Sequence, residues 1–298
     1  MSSSEYSHSL SQLAINPHYI SYPLSWLGHI PFAAWLIEVA RPRVFVELGS
    51  YSGTSYFSFC QAVLACEAET KCIAIDTWEG DDHTGGYGES VYQEFVGYND
   101  ANFKEFSTYL RMRFEEANPS FQDGSIDLLH IDGLHTYDAV KLDFETWLPK
   151  MSSRGVILFH DTAVEREGFG VNTFWSEVCV TYPSFNFSHS NGLGVLLVGD
   201  DYKHENTLLT RVKDVSLLVE RLAERLWLQQ IVREKEDTIS RLENTMIPEY
   251  LSKISDADTQ KSVLLAEKEK LNSELESIKS SRLWKIQVMI NGFKKRFS

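Results

Sequence analysis

The sequence predicts a doubly wound α/β fold: a mostly parallel sheet with helices on both faces, followed by a C-terminal α-helical, coiled-coil extension. Three observations carry that expectation. Short β-rich apolar runs alternate with stretches of helical periodicity through the first two hundred residues. Three of those runs end on an aspartate. Near Lys203 the composition changes abruptly: glycine disappears until Gly292, and Leu, Glu, Lys and Arg dominate. The expected division is a domain over residues 1–201 and an extension over 202–298.

The elements follow in order. Apolar residues recur at three-and-four spacing from Pro23 to Val39, which predicts a helix stopped by Arg41-Pro42. RVFVELG is a short buried strand ending in glycine, and YSGTSYFSFCQAVLACEA behind it has a helical period. KCIAID is a second buried strand. SIDLLHID and GVILFHD are two more, and the helix between them, TYDAVKLDFETWLPK, sets Val140, Phe144 and Trp147 on one face. GFGVNTFWSEVCVTY reads as a helix, and FNFSHSNGLGVLLVG as two strands about a Ser-Asn-Gly turn, an antiparallel hairpin closing the sheet. In the extension, Val215, Val219, Leu222 and Leu226, then Leu264, Leu271, Leu275 and Ile278, follow heptad-like spacing interrupted by Pro248. The heptads are imperfect, so a helical hairpin is the other arrangement they allow.

Composition narrows the function. A hydrophobic fraction of 43% is ample for a packed core in a 298-residue chain. A net charge of −14 excludes broad nucleic-acid binding, which needs a basic surface. The first residues, MSSSEYSHSLSQ, lack the basic and apolar regions of a secretory signal, and Ile30 to Ala40 is too short to span a bilayer. Cys60, Cys66, Cys72 and Cys179 form no CxxC pair or zinc spacing and sit in apolar segments, as reduced buried thiols do. A cytoplasmic location is expected.

Ligands of doubly wound sheets bind at the carboxyl ends of the strands, near the switch in strand order. There the sequence concentrates glycine and acid: Glu47-Leu-Gly49-Ser50-Tyr-Ser-Gly53 joins the first strand to its helix, where glycine lets backbone approach a ligand. The GxxxG spacing weighs against the GxGxxG of a dinucleotide site. Asp76 ends the second strand, 23 residues after Gly53, where a carboxylate either accepts ribose hydroxyls or caps a turn. Together they favour a nucleoside-containing cofactor.

VFVELGSYSGTSYFSFC, DTWEGDDHTGGYGESVY, DLLHIDGLHTYDAVKLDFETWLPK, GVILFHDT and FGVNTFWSEV with YPSFNFSHSNGLGVLLVG occur in that order. They resemble a bacterial class I S-adenosylmethionine (SAM)-dependent methyltransferase family, family-24-like, whose members often accompany glycosyltransferases in surface-polysaccharide clusters. The likeness runs from about Trp26 to Gly199. It implies a Rossmann-like, seven-stranded sheet, with Glu47, Gly49, Ser50 and Gly53 lining the methionine end of SAM, Asp76 on the ribose, and Trp78 beside the adenine or else in the core.

Asp132 and Asp161 close two strands, so both point into one cleft. In the related metal-dependent O-methyltransferases, acids at these strand ends bind Mg²⁺, a hard ion that prefers oxygen. Here His160 stands where that family usually has an oxygen ligand, so the implied set Asp132, Asp161 and His160 either binds a divalent ion, Mg²⁺ as in that family or Mn²⁺ or Fe²⁺ as an imidazole favours, or is empty. His135 follows Asp132 by three residues, where catechol-type relatives place a catalytic lysine. A histidine near its ordinary pKa can take the proton of a sugar hydroxyl, or it caps the next helix, with Thr136 and Asp138 as rival caps. The expected catalytic set is His135, Asp132 and Asp161. His130 faces the sheet interior by alternation and is expected to be structural.

A loop bearing Glu79, Asp81, Asp82, Gly85, Gly86, Tyr87 and Gly88 is either a lid over the cofactor or solvated chain. The last segment, SSRLWKIQVMINGFKKRFS, carries Arg282, Lys285, Lys294, Lys295 and Arg296 without an acid. It suits peripheral contact with the inner membrane face or docking of a glycosyltransferase partner; the extension also suits self-association. The resemblance implies O-methylation of a sugar hydroxyl on a glycan or sugar precursor. The rival readings are a non-catalytic scaffold for glycosyltransferases and a metal-dependent hydroxylase-like relative.

Overall fold

The computed structural model describes residues 16–80, 86, 88–202, 207–247, 258–282, 284–286 and 289. The Asp81, Asp82, Gly85 and Tyr87 part of the lid expectation lies outside them, as do Pro248 and the Lys294, Lys295 and Arg296 part of the basic segment. By internal packing the chain forms two units, Met1–Ala223 and Glu224–Ser298.

The first unit is a seven-stranded sheet: β1 (Val44–Leu48), β2 (Lys71–Asp76), β3 (Ser107–Arg111), β4 (Ile126–Ile131), β5 (Met151–His160), β6 (Ser184–Phe187) and β7 (Leu193–Leu197). Their order is β3-β2-β1-β4-β5-β7-β6. β1 pairs with β2 and β4 in parallel, β2 with β3 and β4 with β5 likewise, and β7 runs antiparallel to β5 and β6. The order reverses between β1 and β4, so the crevice expected to hold a ligand lies between Leu48 and Ile131.

The helices of this unit are α1 (Ile30–Ala40), α2 (Thr54–Ala65), α3 (Glu89–Asn102), the single turn α4 (Phe114–Ala117), α5 (Tyr137–Trp147) and α6 (Val171–Thr181). A longer α7 (Thr207–Arg241) follows. Strand alternation sorts the two faces of the sheet. Val46 and Leu48 join Ile131, Phe159, Phe144, Trp147 and Phe174 in the core under α5 and α6. Phe45 turns the other way, its ring 4.4 Å from that of Phe59 on α2. Glu47 shares the Phe45 side, which is why a carboxylate in a fully buried strand meets polar partners there rather than the apolar core.

The first expected helix begins later than its periodicity suggests. Leu24–His29 is 3-10, and α-helix starts at Ile30. Pro31 lacks an N–H and its ring crowds the preceding turn, so the α-helical ladder cannot extend back through it. Arg41 caps α1 in the left-handed region (φ 42°).

In the second unit the end of α7 and α8 (Asp258–Ser280) run antiparallel. Lys235 meets Glu274 at 3.3 Å and Lys279 meets Glu236 at 3.3 Å, and Lys268 pairs with Glu243. Val232, Leu242, Leu271 and Leu275 are buried. No helix among the described residues is long and apolar enough to cross a membrane.

Candidate active site

Two cavities open at the carboxyl ends of the strands. The larger, about 300 Å³, is bordered by Gly49, Tyr51, Asp76, Thr77, Arg113 and Phe114 and reaches Asp132 and His135. The smaller, about 130 Å³, is bordered by Ser25, Trp26, Ser50, Ser52, Thr54 and Ser55 on one side and by Asp132, His135, His160 and Asp161 on the other. Gly49, Tyr51, Asp132 and His135 border both, so the cavities meet there.

The turn after β1 is shaped by its glycines and by Asp76. Gly49 has φ +86°, and a Cβ on it would sit 2.1 Å from the Asp132 carbonyl oxygen: the two strand ends touch through a bare backbone. Gly53 opens α2 without a side-chain cap, at φ +90°. It borders neither cavity; a Cβ on it would meet the Phe57 ring at 2.4 Å. The buried Asp76 carboxylate accepts the amides of Ser50 (2.9 Å), Tyr51 (2.8 Å) and Trp78 (2.7 Å) while bordering the larger cavity.

Glu47 and Trp78, like Gly53, border neither cavity. Glu47 is wholly buried and borders neither cavity; its Oε1 accepts the Ser55 hydroxyl (3.0 Å), and its Oε2 lies 2.8 Å from His130 Nδ1. Trp26 Nε1 donates to His130 Nε2 (3.3 Å), so the proton of the His130 ring is on Nδ1, facing Glu47. Burial pushes the Glu47 carboxyl above its ordinary range against the pull of His130. Glu47 thus sits beneath the Ser55 and Trp26 walls of the smaller cavity. Trp78 is 1% exposed, packed on Tyr92 and Phe95, and its indole N–H donates to the Tyr51 carbonyl (2.9 Å). It is tied to the turn and borders neither cavity.

Asp132, His135 and Asp161 converge, one ligand atom of each lying within 4.8 Å of the others. His135 Nε2 is 2.9 Å from Asp161 Oδ2 and 3.7 Å from Asp132 Oδ1. Burial alone would depress the His135 imidazole, but the two carboxylates outweigh it and lift it to about 10. That corrects the expectation of a histidine near its ordinary pKa: at neutral pH this imidazole keeps its proton. Burial likewise opposes ionisation of Asp132, yet His160 and His135 hold its carboxyl well below the usual range.

Asp132, His135 and Asp161 offer the convergent ligand atoms, and His160 packs beside them with its Nδ1 3.4 Å from Asp161 Oδ1. The His160 Nδ1 lies 3.1 Å from Asp132 Oδ1 and its Nε2 3.3 Å from the Ser190 carbonyl, so it orients Asp132 from behind. Burial would lower this imidazole too, and Asp132 with Asp161 raises it to about 9. Thr136, not His135, caps α5, accepting from Ala139 N at 3.4 Å.

The residues present fit both implied groups. The buried Ser50 hydroxyl lies between the Glu47 carboxyl and the smaller cavity, a polar group placed where a polar ligand end would sit. Asp161 is left-handed (φ 61°), and its Oδ1 is buried with no hydrogen-bond partner. Two carboxylates and an imidazole suit a hard or borderline divalent cation.

Tyr51, Thr77, Arg113 and Phe114 were not singled out in the sequence. The last two follow β3, whose run STYLR is half exposed and carries no buried apolar signature.

A doubly wound sheet with a glycine turn, a strand-end aspartate and a convergent acid–imidazole cluster defines a ligand-binding α/β domain with its site at the switch point. Residues 46–162 match the family model of a methyltransferase domain. Uncharacterized protein y4gI of Sinorhizobium fredii (strain NBRC 101917 / NGR234) is 47% identical over 194 residues, 65% of this chain and 21% of that protein. The chain thus spans about a fifth of the length of the curated relative it matches. Solved structures similar to it include the O-methyltransferase TomG from Streptomyces achromogenes (14% identity, 65% of this chain and 91% of that one, TM-score 0.45). Another is the Podospora anserina methyltransferase PaMTH1 (12% identity, 66% and 88%, TM-score 0.45).

Proposed function

We propose that the chain is a SAM-dependent O-methyltransferase acting on a sugar hydroxyl of a glycan or sugar precursor in surface-polysaccharide synthesis. The observation that carries this reading is the meeting of two cavities at Gly49, Tyr51, Asp132 and His135 within the matched methyltransferase domain. The larger cavity takes the nucleoside end, with Asp76 at the ribose. The smaller takes the methionine end at Ser50 and the acceptor beside the acid–imidazole cluster.

SAM supplies a methyl group on a sulfonium, already a good leaving group, so the chain's contribution is chiefly positioning. The smaller cavity is lined by the hydroxyl-bearing residues Ser25, Ser50, Ser52, Thr54 and Ser55 together with Trp26. Such a lining suits a polyhydroxylated ring, offering hydrogen bonds at its rim and an apolar face. Asp132, His135 and Asp161 would hold a divalent cation, whose Lewis acidity favours loss of the acceptor proton. Without it, His135 retains its own proton and orients the acceptor as a hydrogen-bond donor.

The test is incubation with methyl-labelled SAM and a panel of nucleotide-linked sugars, with and without Mn²⁺. A product 14 Da heavier and free S-adenosylhomocysteine (SAH) are expected. Failure of the protein to bind SAM by calorimetry would sink the reading, and methylation of only non-carbohydrate hydroxyls would sink the sugar assignment.

A further inference from the structure

We infer that Trp78 is a positioning residue: it holds Tyr51 at the divide between the two cavities through a strained clasp. The inference rests on the methyltransferase reading above. Tyr51 (φ 44°) and Trp78 (φ 53°) are both bulky residues in the left-handed region, where such side chains are rare and strained. Strain of this kind persists only where surrounding bonds over-determine it, and here they do. The Tyr51 and Trp78 amides both donate to Asp76, at 2.8 and 2.7 Å on its two different oxygens. The Trp78 indole N–H closes the ring by donating to the Tyr51 carbonyl at 2.9 Å. Tyr51 is thereby tied at both its backbone groups to the end of β2.

The clasp is aimed at the site. Tyr51 borders both cavities, and of the four residues that do so it alone carries a phenol ring. Trp78 is itself 1% exposed and touches neither cavity, so any effect it has on a ligand passes through Tyr51. Its ring is gripped by Tyr92 and Phe95, with centroids 5.1 and 4.9 Å away, which fixes the direction of the indole N–H. A clasp built this way removes the conformational cost of ordering the turn when a ligand binds.

Trp78→Phe keeps an aromatic ring and deletes only the N–H donor. Calorimetry on the full chain should give SAM and SAH dissociation constants raised together by about five- to twentyfold, the size of one lost hydrogen bond. Trp147→Phe is the comparison: Trp147 is equally buried, its indole N–H has no hydrogen-bond partner, and it lies in the core under α5. It should lower the melting temperature while leaving both constants within about twofold of wild type. Should Trp78→Phe fail to fold, Tyr51→Gly tests whether the clasp is aimed at the ligand: glycine keeps both clasped backbone groups, relieves the left-handed strain and removes only the side chain they position. That variant should melt at or above the wild-type temperature and bind both ligands more weakly. Unchanged affinities in Trp78→Phe, equal losses in Trp147→Phe, or full affinity in Tyr51→Gly would overturn the inference. Wild-type protein that binds neither ligand would overturn the methyltransferase reading, and this inference with it.

Discussion

His135 Nε2 lies 2.9 Å from Asp161 Oδ2, closer than it comes to Asp132, the residue three positions before it in the chain. The imidazole is thus an ion-pair partner across two strand ends. Its folded pKa of about 10 lies above the unfolded value, so its stabilising contribution is complete below about pH 6.5 and is lost as pH rises toward 10. In metal-free protein the His135 ring signal should not titrate between about pH 6 and 8.5 by NMR. His135→Ala should lower the melting temperature at pH 6.5, by an amount that shrinks toward pH 10. A ring titrating near its ordinary value would refute the ion pair.

A divalent cation should compete with that proton. Mn²⁺ binding, followed by electron paramagnetic resonance, should tighten as pH rises, because the ligands must be deprotonated. Asp161→Asn should abolish it, having removed one of three convergent ligands. His160→Asn should weaken it about 10- to 100-fold, the usual cost of a residue that orients a ligand from behind. Equal losses in the two variants would place His160 among the ligands after all.

How legible the molecule was depended on how each element is stabilised. β1, β2, β4 and β5 are buried on both faces, so their apolar runs announce them. β3 is an edge strand only partly buried on each face, and its weak pattern hid it together with Arg113 and Phe114 beyond its end. Asp132, His135 and Asp161 converge as their positions at or just after strand ends suggest, because strand ends fix where short side chains point. Glu47 and Trp78 lie near the turn in the chain, yet burial keeps each from bordering the cavities. Only partner geometry separates a ligand contact from a brace beneath it.

At the other end of β4, Asp127 binds Arg43 through three hydrogen bonds, from the backbone N (2.8 Å), Nε (2.9 Å) and Nη2 (2.9 Å), and also accepts the Ser152 hydroxyl. Burial opposes the charge, but Arg43 and Ser152 outweigh it and hold the carboxyl well below the usual carboxylate range. A depressed carboxyl contributes stability above its unfolded pKa of about 3.9 and loses it as pH falls through the folded value. Asp127→Asn should therefore cost about 1–3 kcal/mol at pH 7 by chemical denaturation. The gap to wild type should close steadily below about pH 4. A gap that did not depend on acid would mean that the Arg43 pair contributes nothing.

Two glycines should respond to alanine with opposite signs. Gly97 lies inside α3, exposed, with nothing within 4 Å of an added Cβ. There alanine restricts the unfolded chain and suits the helix, so Gly97→Ala should stabilise by about 0.5–1 kcal/mol with SAM affinity unchanged. Gly49 has φ +86°, and its added Cβ would lie 2.1 Å from Asp132 O and 2.7 Å from the carbonyl carbon, both backbone atoms that cannot step aside. Relief requires the carboxyl ends of β1 and β4 to part, on top of about 1–3 kcal/mol of left-handed strain. Because Gly49 and Asp132 both border the two cavities, that parting deforms the site as well as the sheet. Gly49→Ala should lower the melting temperature by several degrees, roughly 2–4 °C for each kcal/mol in a domain of this size, and abolish SAM binding. Melting curves and calorimetry on both variants check the pair. A Gly49→Ala protein that binds SAM normally would show that the two strand ends are not held in contact as the structure has them.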